Sequence, residues 1–85
     1  MKADNDKITR LVRTARGQLD GVLRMIEEDR YCVDISNQLL ASIAILQKAN
    51  REIIAAHMDC CVRNAIEQGD ADDKIKELTQ LINKL

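Results

Sequence analysis

Proline, tryptophan and phenylalanine are absent from this chain, and it has one tyrosine, one histidine and three glycines. Without proline, nothing in the interior forces a helix to break. A single aromatic gives no stacking platform of the kind that grips single-stranded nucleic acid. No apolar run approaches the ~18 residues of a membrane span. The opening Met-Lys-Ala-Asp-Asn-Asp is polar and charged, so no secretion signal is expected and the expected compartment is the cytoplasm. There is no glycine-rich phosphate loop, no strand-type alternation, no internal repeat and no nucleophile–base–orienter set, so an enzyme is not expected. Leucine, isoleucine, alanine and charged residues remain, the composition of long packed helices.

Eighty-five residues make one domain with a modest core, and oligomerisation is a common remedy for that. From Lys7 to about Glu28, apolar residues fall at Ile8, Val12, Ala15, Leu19, Val22 and Ile26, in heptad steps of 4, 3, 4, 3, 4. Gly17 and Gly21 interrupt this helix, which suggests close approach of another helix. Asp4 or Asp6 can cap its start, and Asp29-Arg30-Tyr31 holds the following turn. A second, long helix is expected from about Val33 to about Glu67, with Ile35, Leu39, Ile43, Leu46, Ile53 and Ala56 at helical spacing. Gly69 stops it, and Asp70 or Asp72 can cap a last helix over about 72–84. The expected protomer is all-α, with helices 1 and 2 as an antiparallel hairpin and a short third helix.

Two patterns carry chemistry. Lys7, Arg10, Arg13 and Arg16 are spaced three apart and form a drifting basic stripe on helix 1. Such a stripe is either a solvated face or a phosphate-binding surface that multiplies in an oligomer. The second pattern is a set of soft donors: Cys32, His57, Cys60 and Cys61. Cysteines in a cytosolic chain are more often metal-binding or redox-active than disulfide-bonded. His57 and Cys61, four apart, share a helix face. Cys32 lies 25 residues before His57, roughly 37 Å away on a continuous helix. One chain cannot close both ends on one ion, but a second copy running antiparallel can, with its axis near Leu46. Two thiolates and an imidazole suit Cu(I), whereas structural zinc usually takes four ligands. Cys60 could supply a fourth sulfur, but it points about 100° away from Cys61 and is read as a supporting residue.

The run Arg-Thr-Ala-Arg-Gly-Gln-Leu-Asp-Gly-Val-Leu-Arg-Met-Ile-Glu-Glu-Asp-Arg-Tyr-Cys-Val-Asp-Ile, followed by His-Met-Asp-Cys-Cys-Val, resembles the CsoR/RcnR family of bacterial metal- and thiol-responsive repressors. The spacing of Cys32, His57 and Cys61 resembles its copper-sensing branch. The resemblance implies a dimeric four-helix bundle assembled as a tetramer, and a surface for double-stranded operator DNA without a helix-turn-helix. It implies Cu(I) ligation by Cys32 of one chain with His57 and Cys61 of another, with Tyr31 and Glu77 around the histidine. It places Arg13, Lys48 and Arg51 in the DNA surface, with Arg10 and Arg16 beside them, because the family's usual arginine two residues before Arg13 is Leu11 here. Cys60 is a further departure. The single histidine and the lack of proline set the chain apart from the nickel, cobalt and formaldehyde branches. A persulfide sensor using Cys32 and Cys61, or a copper buffer without a DNA role, are the alternatives to a copper-released repressor.

Overall fold

Asp4 starts the first helix. Its carboxylate accepts hydrogen bonds from the backbone N–H groups of Asp6 (3.0 Å) and Lys7 (3.2 Å), which would otherwise lack partners. In the computed structural model, which describes residues 1–85, helix α1 then runs Asn5–Glu27 and helix α2 runs Cys32–His57. The turn between them has no glycine. It is made by Asp29 at φ 53°, in the left-handed region that aspartate tolerates better than most residues.

The long rod does not stay α-helical to Glu67 as the periodicity suggests. After His57 the backbone widens into a π-helical segment, Met58–Val62, before α-helix resumes as α3, Arg63–Gln68. The backbone at His57, Met58, Val62 and Arg63 keeps right-handed helical angles throughout, so the rod changes pitch without a break. A π turn admits one extra residue, and side chains beyond it rotate by about 100° relative to an unbroken α-helix. Gly69, at φ 84°, closes α3 as expected, and the Asp70 N–H donates back to the Ala65 carbonyl at 2.9 Å. Helix α4, Ala71–Ile82, turns back onto the π segment and α3, burying Leu78.

Two polar ties fix the antiparallel register of α1 on α2. Lys7 Nζ lies 3.0 Å from Glu52 Oε1, and the Ser42 hydroxyl is 3.2 Å from Gln18 Oε1. The first pair is about 40% exposed on both sides, so it contributes well under ~1 kcal/mol. The heptad of α1 divides in two. Ile8, Ala15 and Val22 are buried against α2, while Val12, Leu19 and Ile26 stay exposed. On α2 the buried partners are Ser42 and Ala49, and Leu39, Ile43 and Leu46 stay exposed. Close approach of the two helices thus rests on Ala15, Ser42 and Ala49. Gly17 does not serve it: a methyl group there would meet nothing within 4 Å.

The protomer is a slab of 57 × 26 × 13 Å. The α1–α2 hairpin is a single layer of helices, and the C-terminal Lys84 and Leu85 come beside Ile43 and Leu46 of α2. The protomer's radius of gyration is 17.4 Å, against about 12 Å for a compact chain of this length. It exposes 6446 Å², where a compact monomer of this mass would expose roughly 5,100 Å². Such a layer cannot bury both of its faces by itself.

Candidate metal centre and basic surface

Helix arithmetic decides where the donors fall. At 100° per residue, Cys32 and His57 lie about 20° apart around the α2 axis, although roughly 37 Å apart along it. The exposed residues Leu39, Ile43 and Leu46 fall within about 40° of the same line. The register of the hairpin puts Val12, Leu19, Leu23 and Ile26 of α1, all exposed, on this same side. One broad face is therefore apolar along its middle and carries a sulfur donor at one end and an imidazole at the other.

No three donors of metal-binding type come together within the chain. Cys32 is exposed in the first turn of α2, Cys60 and Cys61 are half-buried in the π segment, and all three are free thiols. His57 is half-buried at the last position of α2. Its side chain makes no hydrogen bond or ion pair within the chain, and neither do Tyr31, Cys32 and Cys61. Tyr31 is 65% exposed at the turn. Glu77 sits on α4 with its carboxylate 3.6 Å from Lys74 Nζ. The soft donor set fits a thiophilic ion, but only if two chains share it. The chain brings His57 and Cys61 to one end and leaves Cys32 at the other.

The π segment is the feature that the sequence reading lacked. Both Cys60 and Cys61 lie in it, His57 precedes it, and α4 packs on it. π turns occur frequently at functional sites. Here the wider turn sets the direction of Cys61 relative to His57. The sequence carries no breaker residue that would announce it.

The basic residues lie on the opposite side and along the outer edge of α1. Arg10 and Arg13 line one open surface hollow with Asp6, Thr9 and Thr14. Arg10 and Lys48 line the next, with Lys7, Leu11 and Thr14. Lys48 and Arg51 line a third beside Glu52. Four of the five expected DNA-contacting residues are thus neighbours across the two helices. Arg16 is not: it is exposed but has turned about 120° from Arg10 around α1, and it lines none of these hollows. Lys7 is paired with Glu52. Thr9 and Thr14 join the surface unforeseen; a hydroxyl within one turn of Arg10 is the signal that could have found them.

Comparison with known proteins bears on both faces. A family model described as metal-sensitive transcriptional repressor matches residues 4–84. The copper-sensing transcriptional repressor CsoR of Mycobacterium ulcerans is 41% identical over 71 residues, covering 84% of this chain and 61% of that protein. The CsoR of Bacillus subtilis is 36% identical over 81 residues, covering 95% and 80%. The crystal structure of the copper-sensing repressor CsoR with Cu(I) from Geobacillus thermodenitrificans superposes with a TM-score of 0.86 at 32% identity, over 93% of this chain and 82% of that one. The chain spans about three fifths of the length of its mycobacterial relatives (61% and 60%). On the family model and these identities, the chain belongs to the metal-sensitive transcriptional repressors.

Proposed function

We propose that this chain is a Cu(I)-responsive transcriptional repressor of the cytoplasm. It holds double-stranded operator DNA when copper-free and releases it when copper is bound. The observation that carries this reading is the placement of Cys32 and His57 on one line of α2, with exposed Leu39, Ile43 and Leu46 between them. A second copy laid antiparallel on that face covers the leucines and isoleucine. It also sets each Cys32 beside His57 and Cys61 of the partner subunit. Two equivalent sites result, one at each end of the interface.

Bound at either end, Cu(I) supplies a soft, thiophilic centre that thiolates and imidazole can share. The residues do the rest. Cys32 presents its sulfur from the first turn of α2. His57 presents one ring nitrogen from the end of the same helix in the other chain, and its second nitrogen is free to donate to a carboxylate or phenol oxygen. Tyr31 and Glu77 are the groups we assign to that role; Glu77 leaves Lys74 to take it up. Because α4 rests on the π segment, a change in which partner Glu77 holds is felt by the end of α2.

DNA recognition is assigned to Arg10, Arg13, Lys48 and Arg51 on the opposite face, with two dimers joined as a tetramer to lengthen the surface. Arg16, being off that face, is a peripheral contact at most. The test is an anisotropy titration of labelled duplex DNA carrying the region upstream of this chain's own gene, with and without stoichiometric Cu(I). Tight binding by the copper-free protein and a loss of affinity of about 5–150-fold with copper, the usual range of allosteric coupling, are expected. Equal affinities would refute the copper switch. Release by a persulfide donor and not by Cu(I) would point to thiol chemistry at Cys32 and Cys61 instead.

A further inference from the structure

Four basic side chains have an acidic partner and the rest, Lys2, Arg16, Lys76 and Lys84 among them, do not, so position on the helix must separate the unpaired ones. Lys7, Arg30, Arg63 and Lys74 each lie within ion-pair distance of a carboxylate. Arg10, Arg13, Lys48 and Arg51, the assigned DNA contacts, have none. Arg24 belongs with this second group. Asp20 is one turn before it, at a spacing that often makes a helical ion pair, yet the two do not meet. Glu28, which shares a surface hollow with Arg24, is 3.7 Å from Arg30 instead.

The position of Arg24 is equally specific. Arg10, Arg13, Gly17 and Arg24 fall within about 60° of one another around α1, on its outer edge. Gly21 lies beside that line, and a methyl group built on it would come 3.8 Å from the Arg24 guanidinium. The Arg24 side chain therefore folds back over Gly21, toward Arg10 and Arg13. At Gly17, next along, a methyl group would meet nothing within 4 Å. One edge of α1 thus carries two arginines, then Gly17, Asp20 and Gly21, then a third arginine leaning over Gly21.

We propose that Arg24 is a further phosphate-contacting residue, and that Gly17 and Gly21 leave room beside Asp20 for one DNA strand to run along this edge of α1 from Arg10 and Arg13 to Arg24. This rests on the DNA-binding reading above and extends its footprint. Arg13 and Arg24 are about 16 Å apart along α1, several phosphate steps at ~3.4 Å each along the duplex axis. Arg24 meets a different phosphate from the other two. Its contact adds affinity and salt dependence without reading sequence.

The experiment uses the full-length, copper-free protein and a random-sequence duplex, because phosphate contacts do not need the operator. Affinity is measured across a series of salt concentrations for the wild type, Arg24→Ala, Arg24→Lys and Arg63→Ala. Each lost phosphate contact lowers the slope of log affinity against log salt by about 0.9. Arg24→Ala is expected to lower the slope by that amount for each engaged protomer, and Arg24→Lys to keep it. Arg63→Ala, remote and paired with Asp59, should match the wild type. Oligomeric mass and Cu(I) affinity should not change in Arg24→Ala. Gly17→Leu should weaken duplex binding while leaving mass and copper binding intact. A wild-type slope in Arg24→Ala, or a changed oligomeric mass, would overturn the proposal while leaving DNA binding standing. Failure of the wild type to bind any duplex would instead remove the DNA reading itself.

Discussion

The two broad faces of the α1–α2 hairpin are built from the same two helices and ask for opposite partners. One carries Val12, Leu19, Leu23, Leu39, Ile43 and Leu46, all exposed, and fits a second copy of itself. The other carries Arg10, Lys48 and Arg51 around open hollows and fits a polyanion. Only one helix thickness separates them, in a slab 13 Å deep. Both faces therefore ride on the same two helices. On the proposed reading, the comparison teaches how metal and DNA would be coupled in so small a chain: Cys32 and His57 lie at the two ends of the apolar face, where a shared ion would fix how a second copy registers on it.

The largest effect should come from spoiling the apolar face. Leu39→Glu with Leu46→Glu places unpaired carboxylates in the interface, at several kcal/mol each. Sedimentation should show loss of the dimer, and tight copper binding should vanish with it, although neither residue is a donor. Copper binding that survives in a monomer would break the comparison. Next, Cys32→Ala should leave the dimer and helicity intact yet weaken Cu(I) by more than ~100-fold in a competition titration, since ligand loss exceeds the 10–100-fold cost of losing a supporting group. On the opposite face, Lys48→Ala should leave copper binding unchanged and reduce duplex affinity by about tenfold, with a shallower salt slope. The smallest effect on binding is expected for Glu77→Gln. Its Cu(I) affinity should fall by less than ~10-fold, within the range for a supporting group, while duplex release by copper is blunted. Full release would remove Glu77 from the relay.

Much of this was legible in the sequence because it follows from rise and periodicity. The 25-residue separation of Cys32 and His57 sets both their distance and their shared line. Gly69 marks the end of the rod by its left-handed φ, as glycine at such a position does. The heptad of α1 was visible too, but not its division: that Ile8, Ala15 and Val22 face α2 while Val12, Leu19 and Ile26 do not depends on the pairing of Lys7 with Glu52 and Gln18 with Ser42. The π segment was not legible, because no breaker residue marks Met58–Val62, on which α4 packs. Gly17 and Gly21 were legible as anomalies, but no other helix of this chain approaches them. Close approach of α2 is provided by alanine and serine, and the glycines lie on the outer edge. The turn at Asp29-Arg30-Tyr31 was legible without a glycine, and Asp29 takes its left-handed φ.

The shared-site claim is tested most directly by mixing two crippled chains. Cys32→Ala should fail to bind Cu(I) tightly, and so should the double variant His57→Ala, Cys61→Ala. After co-refolding, a mixed dimer has one end with every donor and one end with none. Random pairing in an isologous dimer then restores about one quarter of a tight site per chain. That recovery is the predicted result. Zero recovery in mixtures shown to contain the mixed dimer would contradict a site assembled from two chains.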